Sequence, residues 1–224
     1  MSSTAPRAII FDWDNTLIDS WHCIQAATNA TLRHMGHPEW DLEETRRRVT
    51  LSMRDAFPAL FGSRWEEARD VFTSTFAAIH LDHLVELPGS TGMLHELREL
   101  SIRLHVVSNK RGHFLRKEAE ALAWTHLFEA LVGAGDAEHD KPDPAPVRLA
   151  LGEGDMRAGT DVWFVGDTSV DLQCAVNAGL LPVLMRPDPP RPGEMDLCPP
   201  RHHVRDCEGL MNLVKQLKVP ISGY

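Results

Sequence analysis

Carboxylates, lysines and a serine recur in four short polar segments of the chain. In order, these segments are Asp12-Trp13-Asp14-Asn15-Thr16, Ser108-Asn109-Lys110, Lys141-Pro142-Asp143-Pro144 and Gly166-Asp167-Thr168-Ser169-Val170-Asp171. A carboxylate can attack phosphorus as a nucleophile, and a second carboxylic acid close by can protonate the departing alkoxide and then activate water. Asp12 and Asp14 stand two residues apart and are suited to divide these tasks. Together the segments predict a phosphoryl-transfer site.

Such a site must offset the repulsion between a carboxylate and a phosphate dianion. A magnesium ion held by hard oxygen ligands would do so, and Asp167 can supply one of them. The ammonium group of Lys141 adds a fixed positive charge, and the hydroxyl of Ser108 adds a neutral donor. In-line transfer requires little beyond position and charge compensation. We therefore expect Mg²⁺ as the cofactor.

The elements that position these residues alternate between strand and helix. The apolar run Ala8-Ile9-Ile10-Phe11, directly before Asp12, is typical of a strand buried on both faces. Further strands are predicted over residues 102–107, 130–132, 161–165, 181–185 and 203–204, and helices over 91–100, 112–124, 144–152, 169–178 and 208–217. This alternation predicts an α/β fold with a doubly wound parallel sheet. Ligands of such sheets bind at the carboxyl ends of the strands, which is where at least three of the polar segments fall.

Residues 20–87 have a different pattern, with successive amphipathic helices predicted over 21–35, 42–49, 53–61 and 65–80. Their aromatic side chains recur near helical spacing and are expected to form a local core rather than a cofactor site: Trp21, Phe57, Phe61, Trp65, Phe72 and Phe76. Pro88-Gly89 marks the return to the alternating pattern. We therefore predict an α/β core domain of residues 1–19 and 88–224 with an inserted helical domain of residues 20–87.

Composition limits the classes of partner. The chain has 224 residues, 43% of them hydrophobic, and a formal net charge of −9. Without a stripe of lysine and arginine, this charge disfavours nucleic acid. No apolar stretch reaches the roughly 20 residues of a membrane helix, and the first residues show no signal-peptide core. The four cysteines form no C-x-x-C pair, which suits reduced thiols and a cytoplasmic protein. We expect a monomer or homodimer with a small phosphorylated metabolite as its partner.

The four segments resemble those of the haloacid dehalogenase (HAD) superfamily, in the branch of phosphoglycolate phosphatase-like and β-phosphoglucomutase-like proteins with a helical cap. The resemblance spans nearly the whole chain and implies a Rossmann-like core. It also implies that Asp12 is the phosphorylated nucleophile and Asp14 the general acid and base. Ser108, its neighbour Asn109, and Lys141 would bind the transferring phosphoryl group.

The resemblance also implies a set of metal ligands. Magnesium would be held by the carboxylate of Asp12, the backbone carbonyl of Asp14 and the carboxylate of Asp167. Asp171 stands where the family often has a further acidic residue that supports the metal or its waters. Thr16 matches the motif threonine and is expected to organise the loop rather than react.

A cap inserted after the first segment would close over the site, exclude water and read the leaving group. Within it, Arg54 resembles the polar residue that such caps lower toward substrate, although an exposed arginine at a helix start explains it equally well. Trp13 departs from the smaller residue of many relatives; it would restrict the leaving group or, as we favour, pack beneath the cap. Lys110 can meet a substrate anion or, as we favour, be a solvated residue at a helix start.

Four functions are compatible with this pattern. The first is a magnesium-dependent phosphatase acting on a small metabolite such as phosphoglycolate or a sugar phosphate. The second is a phosphomutase, which returns the phosphoryl group to another hydroxyl. Dehalogenation is a third, but Asp14 argues against it because dehalogenases of the family generally lack this second aspartate. The fourth is an idle binding protein, and the intact Asp12, Lys141 and Asp167 argue against it. A zinc site is not supported, because His202-His203 with Cys198 and Cys207 lack a convincing four-ligand spacing.

Overall fold

A computed structural model describes residues 5–49, 51–152 and 161–218 of the chain. Its helices and strands follow one another in the order β1 (Ala8–Phe11), β2 (Ile18–Asp19), α1 (Trp21–His34), α2 (Leu42–Arg48), α3 (Met53–Phe61), α4 (Trp65–Ile79), β3 (Val85–Glu86), α5 (Ser90–Glu99), β4 (Arg103–Arg111), α6 (Gly112–Ala121), β5 (Ala130–Ala134), α7 (Ala145–Leu151), β6 (Val162–Gly166), α8 (Ser169–Asn177), β7 (Leu181–Met185), β8 (His202–Val204) and α9 (Cys207–Lys218).

The main sheet has six parallel strands in the order β5-β4-β1-β6-β7-β8. Ile9 and Phe11 of β1 pack on one face, in the same buried cluster as residues of α5, α6 and α9. Ala8 and Ile10 pack on the other face with residues of α7 and α8. The fully buried β1 explains its unbroken apolar run, because both of its faces are covered. The predicted doubly wound α/β fold is confirmed.

The strand order places the first polar segment at the centre of this sheet. Successive strands run from β1 through β4 to β5 on one side, and from β6 through β7 to β8 on the other. The order therefore reverses between β1 and β6, and open α/β sheets bind ligands at such a reversal. Phe11 at the end of β1 is in register with Val106 of β4 and Val165 of β6. The residues that follow these strands consequently share one edge.

Helices α1 to α4 form a separate packed group between β2 and β3. Leu32, Met35, Phe61 and Ala68 share one buried cluster in this group. The short strands β2 and β3 pair antiparallel, with Ile18 opposite Glu86. Neither strand was expected from the sequence, because two residues are too few to show the alternation of apolar and polar side chains that is typical of a strand. This pair lies close to the predicted domain boundaries at residues 19/20 and 87/88, which remain a prediction. The predicted core domain also includes residues 1–4, 153–160 and 219–224, which lie outside the described residues.

Strand β4 differs from expectation in a way that affects the site. Strand β4 continues to Arg111 instead of ending at residue 107, and its register with β5 shifts between Val107 and Arg111. The proline-rich segment 187–200 contains neither helix nor strand, and Met195 and Cys198 within it are buried. All four cysteines are free thiols. In the described part of the chain, every helix is too short or too polar to cross a membrane.

Candidate active site

A turn after β1 brings the two aspartates of the first segment to one cavity. The Asp12 amide still donates to the Val165 carbonyl at 2.9 Å, as a residue of the sheet would. Asn15 then adopts a left-handed conformation with φ of 60°, which asparagine tolerates better than most residues. The Leu17 amide closes the turn on the Trp13 carbonyl at 2.9 Å. As a result, Asp12 and Asp14 both line the cavity above the sheet.

Lys141 joins two of the predicted carboxylates. Its Nζ lies 2.8 Å from Oδ1 of Asp12 and 2.6 Å from Oδ1 of Asp171, and its side chain is almost fully buried. The position of this lysine is set by Asn109, which accepts from the Lys141 amide at 3.0 Å and donates to the Lys141 carbonyl at 3.1 Å. Asn109 therefore acts here by holding the loop that carries Lys141. Ser108, also predicted to bind phosphate, lines the same cavity.

Three buried carboxylates fit a divalent cation. One oxygen from each of Asp12, Asp167 and Asp171 lies within 4.8 Å of the others. Burial, together with the charges of Asp171 and Asp14, raises the pKa of Asp12 to about 6 despite the nearby ammonium of Lys141. Burial and the charges of Asp171 and Asp12 likewise raise the pKa of Asp167 well above its usual range. Clustered hard oxygen donors that repel one another are the ligand set that Mg²⁺ takes.

The start of α8 holds Asp171 in this cluster. Oδ2 of Asp171 accepts from the Thr168 amide at 2.9 Å and from the Thr168 hydroxyl at 2.6 Å, in a capping box. Gly166 leaves room for it, because a Cβ there would lie 2.4 Å from the Cβ of Asp171. The hydroxyl of Thr16 lies 3.4 Å from Oδ1 of Asp167, consistent with its expected organising role.

Asp14 is held by a second buried network, separate from the carboxylate cluster. Lys110 Nζ lies 2.7 Å from Oδ1 of Asp14 and 2.6 Å from Oε2 of Glu118, and the Ser20 hydroxyl also donates to Asp14. His80 Nδ1 lies 2.8 Å from Oε1 of Glu118. Burial alone would lower the pKa of the Lys110 ammonium, but the charges of Asp14 and Glu118 outweigh it and raise that pKa.

The favoured interpretation of Lys110 as a solvated residue is therefore wrong. Only 4% of its side chain is exposed, because β4 extends to Arg111 and the alternation along the strand turns Ser108 and Lys110 inward. Lys110 lines the cavity, but both of its carboxylate partners are protein side chains.

Trp13 and Arg54 both lie outside the cavity lining that the described residues form. Trp13 is fully buried, donates from Nε1 to Oε2 of Glu118 at 2.7 Å and meets the ring of Trp124 edge-on at 5.6 Å. Trp13 therefore packs, as favoured, but the aromatic rings that it meets belong to the α/β core rather than to segment 20–87. Arg54 pairs instead with Asp140, its Nη2 lying 3.0 Å from Oδ1. Arg54 is thus an exposed arginine at the start of α3, as the second of its two expectations had it, and its pair with Asp140 was not expected.

Two residues of the site, Glu118 and His80, were missed from the sequence. Glu118 lies three and four residues after Leu115 and Phe114, on the buried face of α6. A carboxylate among apolar residues on one helix face was the available signal for it. The side chain of His80 is only 3% exposed. His80 directly follows α4, and its partner Glu118 is 38 residues away in the sequence, so residue spacing does not indicate the contact.

Comparison with known proteins places this geometry in a family. A family model described as haloacid dehalogenase-like hydrolase matches residues 9–184. A phosphoglycolate phosphatase of Rhodospirillum rubrum is 31% identical over 192 residues, which cover 80% of this chain and 79% of that protein. The pyrophosphatase PpaX of Bacillus velezensis is 28% identical over 182 residues, covering 80% of this chain and 82% of that protein.

Solved structures agree with the family model. A HAD-superfamily hydrolase from Ehrlichia chaffeensis is 30% identical, with a TM-score of 0.66, and the match covers 96% of this chain and 99% of that chain. The matched region of the family model runs from β1 into β7 and contains all four polar segments. The chain therefore belongs to the haloacid dehalogenase-like hydrolase family.

Proposed function

We propose that this hydrolase is a magnesium-dependent phosphatase of a small phosphorylated metabolite, which acts through an aspartyl-phosphate on Asp12. One observation carries the proposal: two carboxylates reach the same cavity, each with its own buried lysine. Asp12 is held by Lys141 at 2.8 Å and Asp14 by Lys110 at 2.7 Å. Two aspartates held separately can do different work, one as nucleophile and one as proton carrier.

In the first half-reaction, a carboxylate oxygen of Asp12 would form a bond to phosphorus while the bond from phosphorus to the substrate oxygen breaks. Asp14 would enter as the carboxylic acid and give its proton to that oxygen, so that a neutral alcohol leaves. Lys110 and the Ser20 hydroxyl both donate to Oδ1 of Asp14 and would stabilise the carboxylate that this transfer produces. Lys141 and Ser108 would bind the phosphoryl oxygens.

In the second half-reaction, the Asp14 carboxylate would take a proton from a water molecule as its oxygen attacks phosphorus. The bond from phosphorus to Asp12 would then break, releasing inorganic phosphate and restoring both side chains. The carboxylates of Asp12 and Asp167 would hold Mg²⁺ and Asp171 would support it, while the backbone carbonyl of Asp14 would be a further ligand, as the family resemblance implies. When bound, the ion would neutralise charge on the phosphoryl oxygens.

The free thiols are in keeping with a cytoplasmic location.

Phosphate release in the presence of Mg²⁺ tests this function. We expect Asp12→Asn to abolish turnover, and Asp14→Asn to reduce it by at least about a hundredfold, as loss of general acid and base catalysis does. Asp82→Asn, an exposed change of the same type, is the control and should keep full activity. Full turnover by Asp12→Asn would refute the proposal. A requirement for a bisphosphate activator with little net phosphate release would identify a phosphomutase instead.

Formation of a stable phosphoryl analogue provides a second readout that does not depend on the substrate. Beryllofluoride with Mg²⁺ should bind at the Asp12 carboxylate and raise the melting temperature of the wild-type chain. Asp12→Asn should show no such rise, whereas Asp82→Asn should behave like the wild type. Failure of the wild type to bind the analogue would favour an idle binding protein.

A further inference from the structure

The cavity above Asp12 has two chemically unlike sides. The side at the sheet carries the charged residues, whereas every described residue of segment 20–87 that lines the cavity is apolar. The lining residues from that segment include Trp21, Ile24, Leu51, Met53, Phe72 and Phe76. Phe114 of α6 continues this surface and packs on Phe76 with ring centroids 5.1 Å apart. We call this side of the cavity the apolar wall.

Some aromatic residues of the helical segment therefore line the cavity in addition to packing in the core of that segment. Phe72 stacks on Phe76 at 5.8 Å and also meets Phe57, which ties the wall to the packing of α3 and α4. Their rings nevertheless line the cavity. A wall of packed rings is pre-formed, so an apolar group entering the cavity would find a surface that needs little rearrangement.

The two lysines of the cavity offer little to a negatively charged leaving group. Lys141 contacts Asp12 and Asp171, and Lys110 contacts Asp14 and Glu118. Both lysines are thus already neutralised by protein carboxylates. Among the lining residues, Arg111 is the cation with no carboxylate partner in the described part of the chain, and it belongs to β4 rather than to the apolar wall.

Segment 20–87 touches the core in this structure, so the wall faces the site with the cavity covered. His80 reaches Glu118 of α6 at 2.8 Å, and Arg54 reaches Asp140 beside Lys141 at 3.0 Å. The cavity has an open mouth, and seven apolar side chains of segment 20–87 line it. A two-carbon acid is too small to contact all of these side chains.

We propose that the preferred substrate is a phosphomonoester whose leaving alcohol carries an aromatic or branched hydrocarbon group, bound against the apolar wall. This inference rests on the proposed phosphatase function. A carboxylate or a ring of sugar hydroxyls on that wall would lose water without gaining hydrogen-bond partners, which is unfavourable. A hydrocarbon group would instead gain from removal of its surface from water.

A comparison of substrates with similar primary-alcohol leaving groups tests the inference in the unmodified enzyme. We expect kcat/KM for benzyl phosphate to exceed that for phosphoglycolate and for glucose 6-phosphate by about tenfold or more, the discrimination that an apolar pocket provides. Higher kcat/KM for phosphoglycolate or for glucose 6-phosphate than for benzyl phosphate would overturn the inference.

A charge placed on the wall provides a second test. Leu51 lines the cavity and is 44% exposed, so Leu51→Lys should fold. It should lower kcat/KM for benzyl phosphate about tenfold and raise the relative rate with phosphoglycolate. The matched control is Leu149→Lys on α7, where the leucine is 51% exposed and lies outside the cavity lining. Equal effects of the two variants on the ratio of substrates would overturn the inference.

The two levels of the proposal fail in distinguishable ways. If phosphoglycolate releases phosphate faster than benzyl phosphate, and Asp12→Asn abolishes this, the enzyme is a phosphatase and only the inferred substrate class is wrong. If none of these substrates, nor the reactive acetyl phosphate, releases phosphate above the Asp12→Asn blank, the phosphatase function itself fails.

Discussion

Lys110 lies between two carboxylates in a nearly dry part of the protein. Its Nζ is 2.7 Å from Asp14 and 2.6 Å from Glu118, and the side chains of Lys110 and Glu118 are 4% and 1% exposed. Removing charged groups from water is costly, and only mutual contact offsets that cost. The ammonium therefore holds together groups that would otherwise repel each other. The stability of this part of the core depends on a residue that also positions a proposed catalytic aspartate.

Lys110→Met should accordingly destabilise the fold. The change leaves two carboxylates facing each other, and breaking a buried ion pair costs about 3–5 kcal/mol. Urea denaturation should show a loss of that size in the free energy of unfolding. The control, Lys215→Met, removes an exposed pair with Glu96, and surface pairs contribute about 0–1 kcal/mol. Equal losses in the two variants would show that burial does not govern the effect.

The raised pKa of Asp12 predicts a pH-dependent stability of the metal-free chain. The pKa moves from 3.8 to about 6 on folding, so the native state binds a proton more tightly than the unfolded chain. This contribution is fully present below pH 3.8 and is lost as the pH rises through about 6. In EDTA, the free energy of unfolding should therefore fall over this window, by up to about 3 kcal/mol from Asp12.

Asp12→Asn provides the measurement for this prediction. Asparagine does not titrate, so denaturation curves of the variant in EDTA should show a shallower fall in stability between pH 4 and about 6. The exposed Asp82→Asn is the control and should keep the wild-type slope. An unchanged slope in Asp12→Asn would mean that another group is responsible.

At the scale of elements, the join between β6 and α8 depends on a glycine. A Cβ on Gly166 would lie 2.4 Å from Cβ of Asp171, the residue that caps α8 and contacts Lys141. Backbone and side chain cannot both keep their places around such a contact. The close approach of β6 and α8 is thus what allows Asp171 to reach the carboxylate cluster.

Gly166→Ala should therefore displace Asp171. We expect kcat/KM to fall about a hundredfold, the effect of a misplacement near 1 Å, together with a smaller rise in melting temperature on addition of Mg²⁺. The control is Gly92→Ala in α5, where a Cβ meets nothing within 4 Å. Alanine there should stabilise the helix by about 0.5–1 kcal/mol. Normal activity and Mg²⁺ response in Gly166→Ala would contradict the prediction.

Sequence periodicity predicted most elements of this fold, because buried parallel strands and amphipathic helices have strong patterns. The predicted strand over residues 181–185 and helix over residues 53–61 match β7 and α3 residue for residue. Elements governed by distant contacts were not visible. Strands β2 and β3 have two residues each, and the extension of β4 depends on its pairing with β5.

The same distinction holds for the candidate site. Asp12 and Asp167 were identifiable because each directly follows an apolar strand, and parallel strands end at one edge. Glu118 and His80 lie on helix α6 and just after α4, 38 residues apart, and only the packing of the helical segment on the core brings them together. Sequence patterns therefore indicate site residues that directly follow a strand of the sheet. They give no sign of residues that reach the site only because the helical segment packs on the core.

At the scale of the whole molecule, an ion pair links segment 20–87 to the loop that carries Lys141. Nη2 of Arg54 lies 3.0 Å from Oδ1 of Asp140, and Nη1 donates to the Glu138 carbonyl at 3.4 Å. Asp140 is buried and also accepts from the Gly135 amide. A contact of this kind favours the arrangement in which the cavity is covered, without touching the reacting groups.

Weakening this link should raise KM more than it lowers kcat, because the chemistry at Asp12 does not involve Arg54. An ion pair with one exposed partner contributes about 0.2–1 kcal/mol, so Arg54→Met should raise KM up to about fivefold. Arg33→Met breaks an exposed pair with Glu39 inside the helical segment and should leave KM unchanged. In the double variant with Asp140→Asn, the loss should be smaller than the sum of the two single losses, because both remove the same contact. Strictly additive losses would show that Arg54 and Asp140 act independently and would contradict this link.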